Sequence, residues 1–496
     1  MKTMETTAAR DLSKFIVPSI KSFEKHHGSF AFKAKILFYA DSSHYKTAKN
    51  LCKVFKDIFG LEAEVVSSEE SSQADIVLKT DSAGGNPESY SILVRPEMIT
   101  ISSPSGRGLF YGLNTLIQLI ERDKNGSAFS VPCCRIEDQP EYQWRGFMLD
   151  VCRHFMSIDC IKRYIDILSF YKFNRLHLHL TEDQGWRIES RKYPLLTEIG
   201  AYRGKSNYGG YYTLEQLRDI MDYAAARFVT VVPEIDLPGH CQAALAAYPE
   251  LSCTGGPFEV SEKVHVIHEE AFCAGNEKCF EFLQDVFGEI IDALEPKYIH
   301  IGADECLKNR WKACSRCQQR IKDEVLADEN ELQAYFVRRI ASFLKSKGVT
   351  VIGWEEILEG GGDRDTIIQV WKGCREVAKE CISNGYRVIL SPTSNCYLDY
   401  VPARIDLEKA SQFDLNIADS PAEKELVLGG EACMWTEDTP QEILDSKVFP
   451  RLLAICESLW HGAAVENYQE FANRLRSHYN AVSEYGIEYN CSFPES

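Results

Sequence analysis

The 496-residue chain has no apolar run near the ~20 residues needed to cross a bilayer. Its opening, MKTMETTAARDLSKFIVPSI, has neither a leader-like apolar stretch nor a small-residue cleavage site, so a cytoplasmic location is expected. Positive charge is also short: 55 Lys and Arg stand against 73 Asp and Glu, a net charge of −18. That balance argues against nucleic acid or an anionic membrane as a partner. No Walker A sequence and no Rossmann glycine pattern opens a helix, so nucleotide and dinucleotide cofactors have no support, and no cofactor is expected. Internal repeats and low-complexity tracts are missing too. Tryptophan is scarce, with only 7 residues, which makes their positions worth following.

Hydrophobic residues at 45% and charged residues at 26% are those of an ordinary globular protein, and the length exceeds one small domain. Cysteine is plentiful, at 18 residues, but scattered through apolar runs such as PCCRIE and DVCRHF, where reduced thiols act as small core hydrophobes. One cluster differs. Cys306, Cys314 and Cys317 in CLKNRWKACSRCQQR combine a C-x-x-C with a third cysteine. Zinc would fit such a set, but no second pair or histidine completes it in sequence. The reading is therefore free thiols or a disulfide, with no metal site assigned.

Two regions emerge. Residues 1–139 read as a small α+β domain. AKILFYAD, LEAEVVSS, ADIVLKT, YSILVRP and MITISSP are short strands, and HYKTAKNLCKVFKDIF and GRGLFYGLNTLIQLIERD carry helical spacing. Nothing there gathers catalytic residue types, so its expected role is packing, with RIEDQPEYQW as the linker. Residues 140–496 change rhythm. Eight apolar runs (GFMLDV, FNRLHLHL, FVTVVPEIDL, KYIHIGADE, TVIGWEE, TIIQVWKG, YRVILSP and LVLGGEACMW) each end in polar or acidic residues, with helical patterns between most of them. This predicts a (β/α)8 TIM barrel whose site lies at the C-terminal strand ends. Gly348 is placed to end the helix before TVIGWEE. The long segment from Ser252 to Lys278 is expected on the barrel's upper face.

The strand ends supply Asp150, Glu182, Asp183, Glu234, Asp236, His240, Asp304, Glu305, Glu355 and Glu356, then Trp371, Tyr397, Asp399, Trp435 and Glu437. Trp186, Trp354, Trp371 and Trp435 all fall at or just after strand ends. Aromatic faces stack on the apolar C–H faces of sugars, and carboxylates bond to sugar hydroxyls. Core packing explains any single tryptophan, but four at one end of a barrel favour a sugar site. His177 and His179 give an H-x-H pattern seen in metal hydrolases. They lie within their strand, though, and no further histidines or lysine complete a set, so they read as core or supporting residues.

Asp304 and Glu305 are sequence neighbours. A retaining glycosidase ordinarily needs two carboxyls on opposite sides of the scissile bond, drawn from different strands. Adjacent acids suit a reaction in which the substrate supplies its own nucleophile. The carbonyl oxygen of a 2-acetamido group attacks C1, one acid protonates the glycosidic oxygen, and its neighbour steadies the acetamido N–H. The chemistry predicts an N-acetylhexosamine substrate.

WRGFMLDVCRHF, LHLHLTEDQGWR, VPEIDLPGH, HIGADE, GWEE and GGEACMWTE, in this order over residues 144–437, resemble glycoside hydrolase family 20, the β-N-acetylhexosaminidases. The N-terminal region resembles the small domain that precedes the barrel in that family. The resemblance implies Glu305 as general acid and then base, Asp304 as the acetamido-orienting carboxylate, and Tyr397 as donor to the acetamido carbonyl. It implies Trp354, Trp371 and Trp435 as pocket walls. Arg145 would bind the 3- and 4-hydroxyls with Glu437 beside it, and Asp399 the outer hydroxyls. Asp183, His240 and Asp236 would stand behind Glu305. Ala303 and Glu182 depart from the commonest pattern, and neither is expected to touch the chemistry. The expected partner is an oligosaccharide or glycoconjugate with a terminal β-N-acetylhexosamine. The missing leader favours small imported oligosaccharides or released fragments. Alternatives are a variant releasing a disaccharide or acting on a decorated hexosamine, a sugar-binding protein without activity, and a metal-dependent barrel hydrolase.

Overall fold

In the computed structural model of the protein, residues 15–81, 85–123 and 128–483 are described. The opening residues on which the leader reading rests, and the tail EYNCSFPES, lie outside them. The chain forms two units: one holds the described residues up to Glu141, residues 170–172 and those from Cys456 onward, and the other holds 142–169 and 173–455.

Alternating burial organises the first unit. Its longer strands are β1 (Ser22–Ala31), β2 (Lys35–Ala40), β3 (Glu62–Val65), β4 (Ile76–Thr80), β5 (Tyr90–Val94), β6 (Ile99–Ser103) and β7 (Phe129–Asp138), in the spatial order β1-β7-β5-β6-β4-β2-β3, with the two-residue strand Glu121–Arg122 paired to β7. In β5 and β6 every second residue is buried, as a sheet with one covered face requires. Helix α1 (Tyr45–Phe59) ends on Gly60 in the left-handed conformation. Helix α2 (Gly106–Leu119) opens on Ser105, whose hydroxyl accepts from the Arg107 and Gly108 amides. It is buried on every side from Gly108 to Leu119, so it has no exposed polar face over that stretch. Trp460, from the C-terminal part of the same unit, packs edge-on to Tyr111 at 5.9 Å and covers a second side of the helix. Two of these longer strands escaped the sequence reading. β1, SFEKHHGSFA, is mostly exposed and its register slips between Lys25 and Ser29, which hides the period of two. β7 runs into the expected linker as far as Asp138.

The second unit is a closed barrel of eight parallel strands, one in each of the eight runs picked out by sequence. They are β8 (Trp144–Asp150), β9 (Arg175–His179), β10 (Thr230–Leu237), β11 (Tyr298–Gly302), β12 (Thr350–Trp354), β13 (Ile367–Val370), β14 (Arg387–Leu390) and β15 (Val427–Met434), with β15 closing on β8. Helices α3 (Ile158–Phe170), α4 (Leu214–Ala225) and α5 (Glu277–Leu294) follow the first three strands. After β11 come α6 (Ser315–Asp323) and α7 (Glu329–Ser346), with Gly348 in the left-handed region just past the end of α7, as expected. An apolar plug of Trp144, Val232, Ile352, Ile367, Ile389 and Leu428 fills the barrel. No described helix is long and apolar enough to cross a membrane.

β11 stops abruptly. Gly302 has φ +63°, Ala303 +81° and Glu305 +47°, so strand alternation is lost where the paired acids sit. A Cβ on Gly302 would lie 1.7 Å from Asp236 Oδ1, whereas one on Gly348, also at positive φ, would meet nothing within 4 Å. Gly302→Ala is therefore expected to lower unfolding free energy by about 3 kcal/mol or more, and Gly348→Ala by about 1 kcal/mol, in urea denaturation. Equal losses would mean that backbone strain alone, and not the contact with Asp236, fixes Gly302.

Candidate active site

The upper barrel interior is polar, and its charged side chains are set against one another. His177 places Nδ1 2.8 Å from Glu431 Oε1 and Nε2 3.0 Å from Glu234 Oε2. His179 Nδ1 lies 2.6 Å from the same Glu234 oxygen. Burial pulls the His177 pKa down, but Glu234 and Glu431 outweigh it and raise it to about 9. The H-x-H pair thus belongs to a buried ionic layer with Glu234 and Glu431, as the supporting-residue reading expects. Trp354 Nε1 donates to Glu234 Oε1 at 3.1 Å, which fixes the indole above this layer.

Glu182 is the hub of the next layer. Its carboxylate lies 2.8 Å from His240 Nδ1, 3.1 Å from His179 Nε2 and 3.0 Å from Arg153 Nη2. Burial alone would raise its pKa, yet Arg153 and His240 hold it well below the usual carboxylate range. His240 is held the other way: burial opposes its charge, but Glu182, Asp183 and Asp304 push its pKa well above the ordinary value. Its Nε2 faces both adjacent acids, 3.8 Å from Asp304 Oδ2 and 3.7 Å from Glu305 Oε2. The left-handed turn after β11 is what brings two sequence neighbours to one imidazole. Asp236 supports that turn, accepting from the Ala303 amide at 3.2 Å.

Above the acids a cavity of about 170 Å³ is walled by Trp354, Trp371, Trp435 and Tyr397, with Asp399, Glu437 and Arg153 at its outer side. Trp371 and Tyr397 stack with centroids 6.1 Å apart and planes 17° from parallel. Trp354 and Trp435 meet at 5.9 Å, and the Arg153 guanidinium lies 5.1 Å from the Trp435 ring. Glu356 accepts from Trp371 Nε1 at 3.1 Å and anchors that wall. Burial raises the Tyr397 pKa well above 10, so it stays a phenol able to donate. Burial, with Glu437 adding, pushes Asp399 up to about 7. Burial likewise pushes Asp304 up to about 7, with Glu356, Glu234 and Glu305 adding and His240 opposing. Asp304 Oδ1 and Asp399 Oδ1 are buried without a hydrogen-bond partner. Unpaired buried acceptors lining a pocket are the mark of a site built for a donor-bearing ligand.

The structure gathers Glu305, Asp304, Tyr397, Trp354, Trp371, Trp435, Asp399, Glu437 and His240 around one cavity and sets Asp236 behind it. It does not bring Arg145 there. Arg145 is the second residue of β8, paired with Gly430, and its guanidinium donates to the Tyr142 carbonyl at 2.6 Å, at the opposite end of the strand from the pocket. Arg153 stands in the pocket instead, three residues past the end of β8, with Nη1 3.3 Å from Asp150 and Nη2 4.0 Å from Glu437. The available signal was position: residues beyond a barrel strand's C-terminal end, not those at its start, reach the site. Glu182 joins the same group of residues. Asp183 stands behind His240 at 3.6 Å and accepts from the Gln242 amide at 2.9 Å, but Glu182 makes the shorter contact and bridges to Arg153. Ala303, at φ +81°, takes part in the left-handed turn that carries the two acids.

Asp304 carries a pH signature. Its pKa of about 7 stands above the ordinary 3.8, so the folded chain holds a proton that the unfolded chain has released between those values. The ionised carboxylate counts fully against stability above pH ~7, and the penalty fades as pH falls toward ~4. Asp304→Asn is expected to gain on the order of 2 kcal/mol at pH 8 and to lose most of that gain at pH 4.5, read from urea melts at both values. A pH-independent change would contradict it.

The sequence profile of the glycosyl hydrolase family 20 catalytic domain matches residues 142–463, and that of the family's domain 2 matches 14–139. The chain is 38% identical over 504 residues to a beta-hexosaminidase of Porphyromonas gingivalis, covering 97% of this chain and 65% of that relative's length. It is 32% identical over 476 residues to a beta-hexosaminidase of Vibrio furnissii, covering 89% of this chain and 76% of that one. Among solved structures, a family 20 exo-β-N-acetylglucosaminidase from Vibrio harveyi, in complex with N-acetylglucosamine, superposes with a TM-score of 0.88 at 30% identity, over 98% of this chain and 79% of that one. A β-N-acetylhexosaminidase from Bacteroides fragilis gives 0.85 at 33% identity, over 96% and 97%. With both domain profiles matched in order, the chain belongs to glycosyl hydrolase family 20.

Proposed function

We propose that the chain is an exo-acting, retaining β-N-acetylhexosaminidase that removes a terminal β-linked N-acetylhexosamine by substrate-assisted catalysis. The observation that carries this reading is the pair Asp304 and Glu305 turned to one His240, with Asp304 Oδ1 buried and unpaired. Asp304 accepts the acetamido N–H and stabilises the positive charge that grows there as the carbonyl oxygen attacks C1. Tyr397, held as a phenol, donates to that oxygen. Trp354, Trp371 and Trp435 enclose the acetamido methyl and the sugar face. Glu305 has the more open side chain of the pair, 28% exposed against 11% for Asp304, which suits proton delivery to a leaving group entering from outside. It then takes the proton from the water that opens the oxazolinium.

His240 couples the two acids. Held as a cation by Glu182, it lets Asp304 carry charge beside Glu305 without an uncompensated buried pair. Arg153, with Asp399 and Glu437, binds the outer hydroxyls of the sugar, the role expected of Arg145 from sequence. These three groups close the cavity around a single terminal residue, which favours exo action over release of a disaccharide. The names of the relatives agree with this substrate class.

Two experiments test the reading. Aryl β-N-acetylglucosaminide is expected to be hydrolysed and aryl β-glucoside not, with a thiazoline that mimics the oxazoline blocking the first reaction. Glu305→Gln is expected to lower kcat on a poor leaving group by about 10²–10⁴. Comparable cleavage of the plain glucoside would remove the acetamido group from the mechanism. In a second comparison, Arg153→Lys is expected to lower kcat/KM by about 10–100-fold, since a hydrogen bond to a charged group contributes roughly 1.5–3 kcal/mol. Arg145→Lys is expected to leave kcat/KM of the folded enzyme within about 3-fold, and the opposite ranking would restore the sequence assignment.

A further inference from the structure

Four cysteine sulfurs converge outside the sugar pocket. Cys314 and Cys317 stand at the start of α6, and Cys253 and Cys273 come from the loop that leaves the top of β10. All four sulfurs lie within 4.8 Å of one another. The individual separations are 3.8 Å for Cys253–Cys317, 3.8 Å for Cys273–Cys314 and 3.7 Å for Cys273–Cys317. A disulfide would bring two sulfurs to about 2.05 Å. A tetrahedral zinc with Zn–S near 2.3 Å sets its sulfurs about 3.8 Å apart. We infer that Cys253, Cys273, Cys314 and Cys317 hold one structural zinc ion.

The surroundings fit a tetrathiolate, whose net charge with zinc is negative. The Arg316 guanidinium lies close enough to Cys253, Cys273 and Cys314 to interact with them electrostatically. Positive charge beside the ligands helps to neutralise the thiolates of a metal site. Arg316 also donates to the Ser252 carbonyl at 2.8 Å, tying α6 to the residue before Cys253. A Cβ on Gly275 would lie 2.2 Å from the Arg316 carbonyl carbon, so only glycine lets the two ligand segments approach this closely. Cys306 is not a ligand: it sits directly after Glu305, and the sequence grouping of Cys306 with Cys314 and Cys317 is corrected accordingly. The partner pair that the sequence lacked is Cys253 and Cys273, spaced too widely to read as a motif.

A site with four protein ligands leaves no open position for catalysis, so its action is mechanical. The loop that it pins also supplies the Ser261 amide to the Asp183 carbonyl at 3.0 Å and the Lys263 carbonyl to Gln184 Nε2 at 2.7 Å. Both bonds lie beside Glu182. The other pinned segment begins at Glu305. The ion thus ties the backbone after the proton donor to the loop that braces its supporting carboxylates.

Metal analysis of the intact protein, purified without chelators, tests this. About one zinc per chain is expected. It should be released when a mercurial titrates the thiols, and exchange with cobalt(II) should give the absorption of a tetrahedral thiolate site. The double variant Cys253→Ser, Cys317→Ser is expected to lose the metal, while Cys306→Ser keeps it. Should the double variant fail to fold, the zinc content and cobalt spectrum of the wild type still decide. A metal-free protein that stays metal-free with added zinc overturns the proposal, whether its cysteines titrate as thiols or appear as disulfides by mass spectrometry. So does zinc retained by a folded double variant.

Discussion

Compensation of buried charge is the constraint on which this site stands. A carboxylate drawn into a barrel without a partner would take up a proton or unfold the wall around it. Here Glu234 is met by His177 and His179, Glu431 by His177, and Glu182 by His179, His240 and Arg153. The layers are linked because His179 bridges Glu234 to Glu182, so the apolar plug, the ionic layer and the pocket form a continuous stack. Asp304, Glu305 and Asp399 occupy the top of that stack, where compensation is incomplete. Asp304 and Asp399 keep unpaired buried oxygens, and both carboxyls are pushed up to about 7. A ligand that brings donors relieves what the fold leaves open.

The second determinant is backbone geometry. On a regular strand Asp304 and Glu305 would point to opposite faces. The left-handed run at Gly302, Ala303 and Glu305 breaks that alternation and turns both acids toward His240. Asp236 occupies the space that a side chain on residue 302 would need, so the turn and its supporting carboxylate specify each other. Two of the four clustered cysteines, Cys314 and Cys317, follow on the same segment. Glu305 therefore lies between a packed turn and the sulfur cluster.

The eight barrel strands were legible because each is a short apolar run ending in polar residues, and buried parallel strands leave that trace. The acids, the aromatic walls and Tyr397 were legible for the same reason: they sit at or just past those runs, and their side-chain chemistry points to a sugar bearing an acetamido group. The exposed strand β1 was not, since a bulged polar strand has no period. That Arg153 and not Arg145 lines the cavity turns on which of the two lies past the strand end and which way it faces. Tertiary structure decided this, because barrel closure and the bend after β11 set directions that spacing does not encode. It also decided the cysteines. Four sulfurs separated by 20, 41 and 3 residues meet only because a loop from β10 folds onto the start of α6. Sequence by itself determined which elements form and which chemical groups they carry, as local patterns of burial. Which groups face one another was left to the packing, since that depends on contacts between residues far apart in the chain.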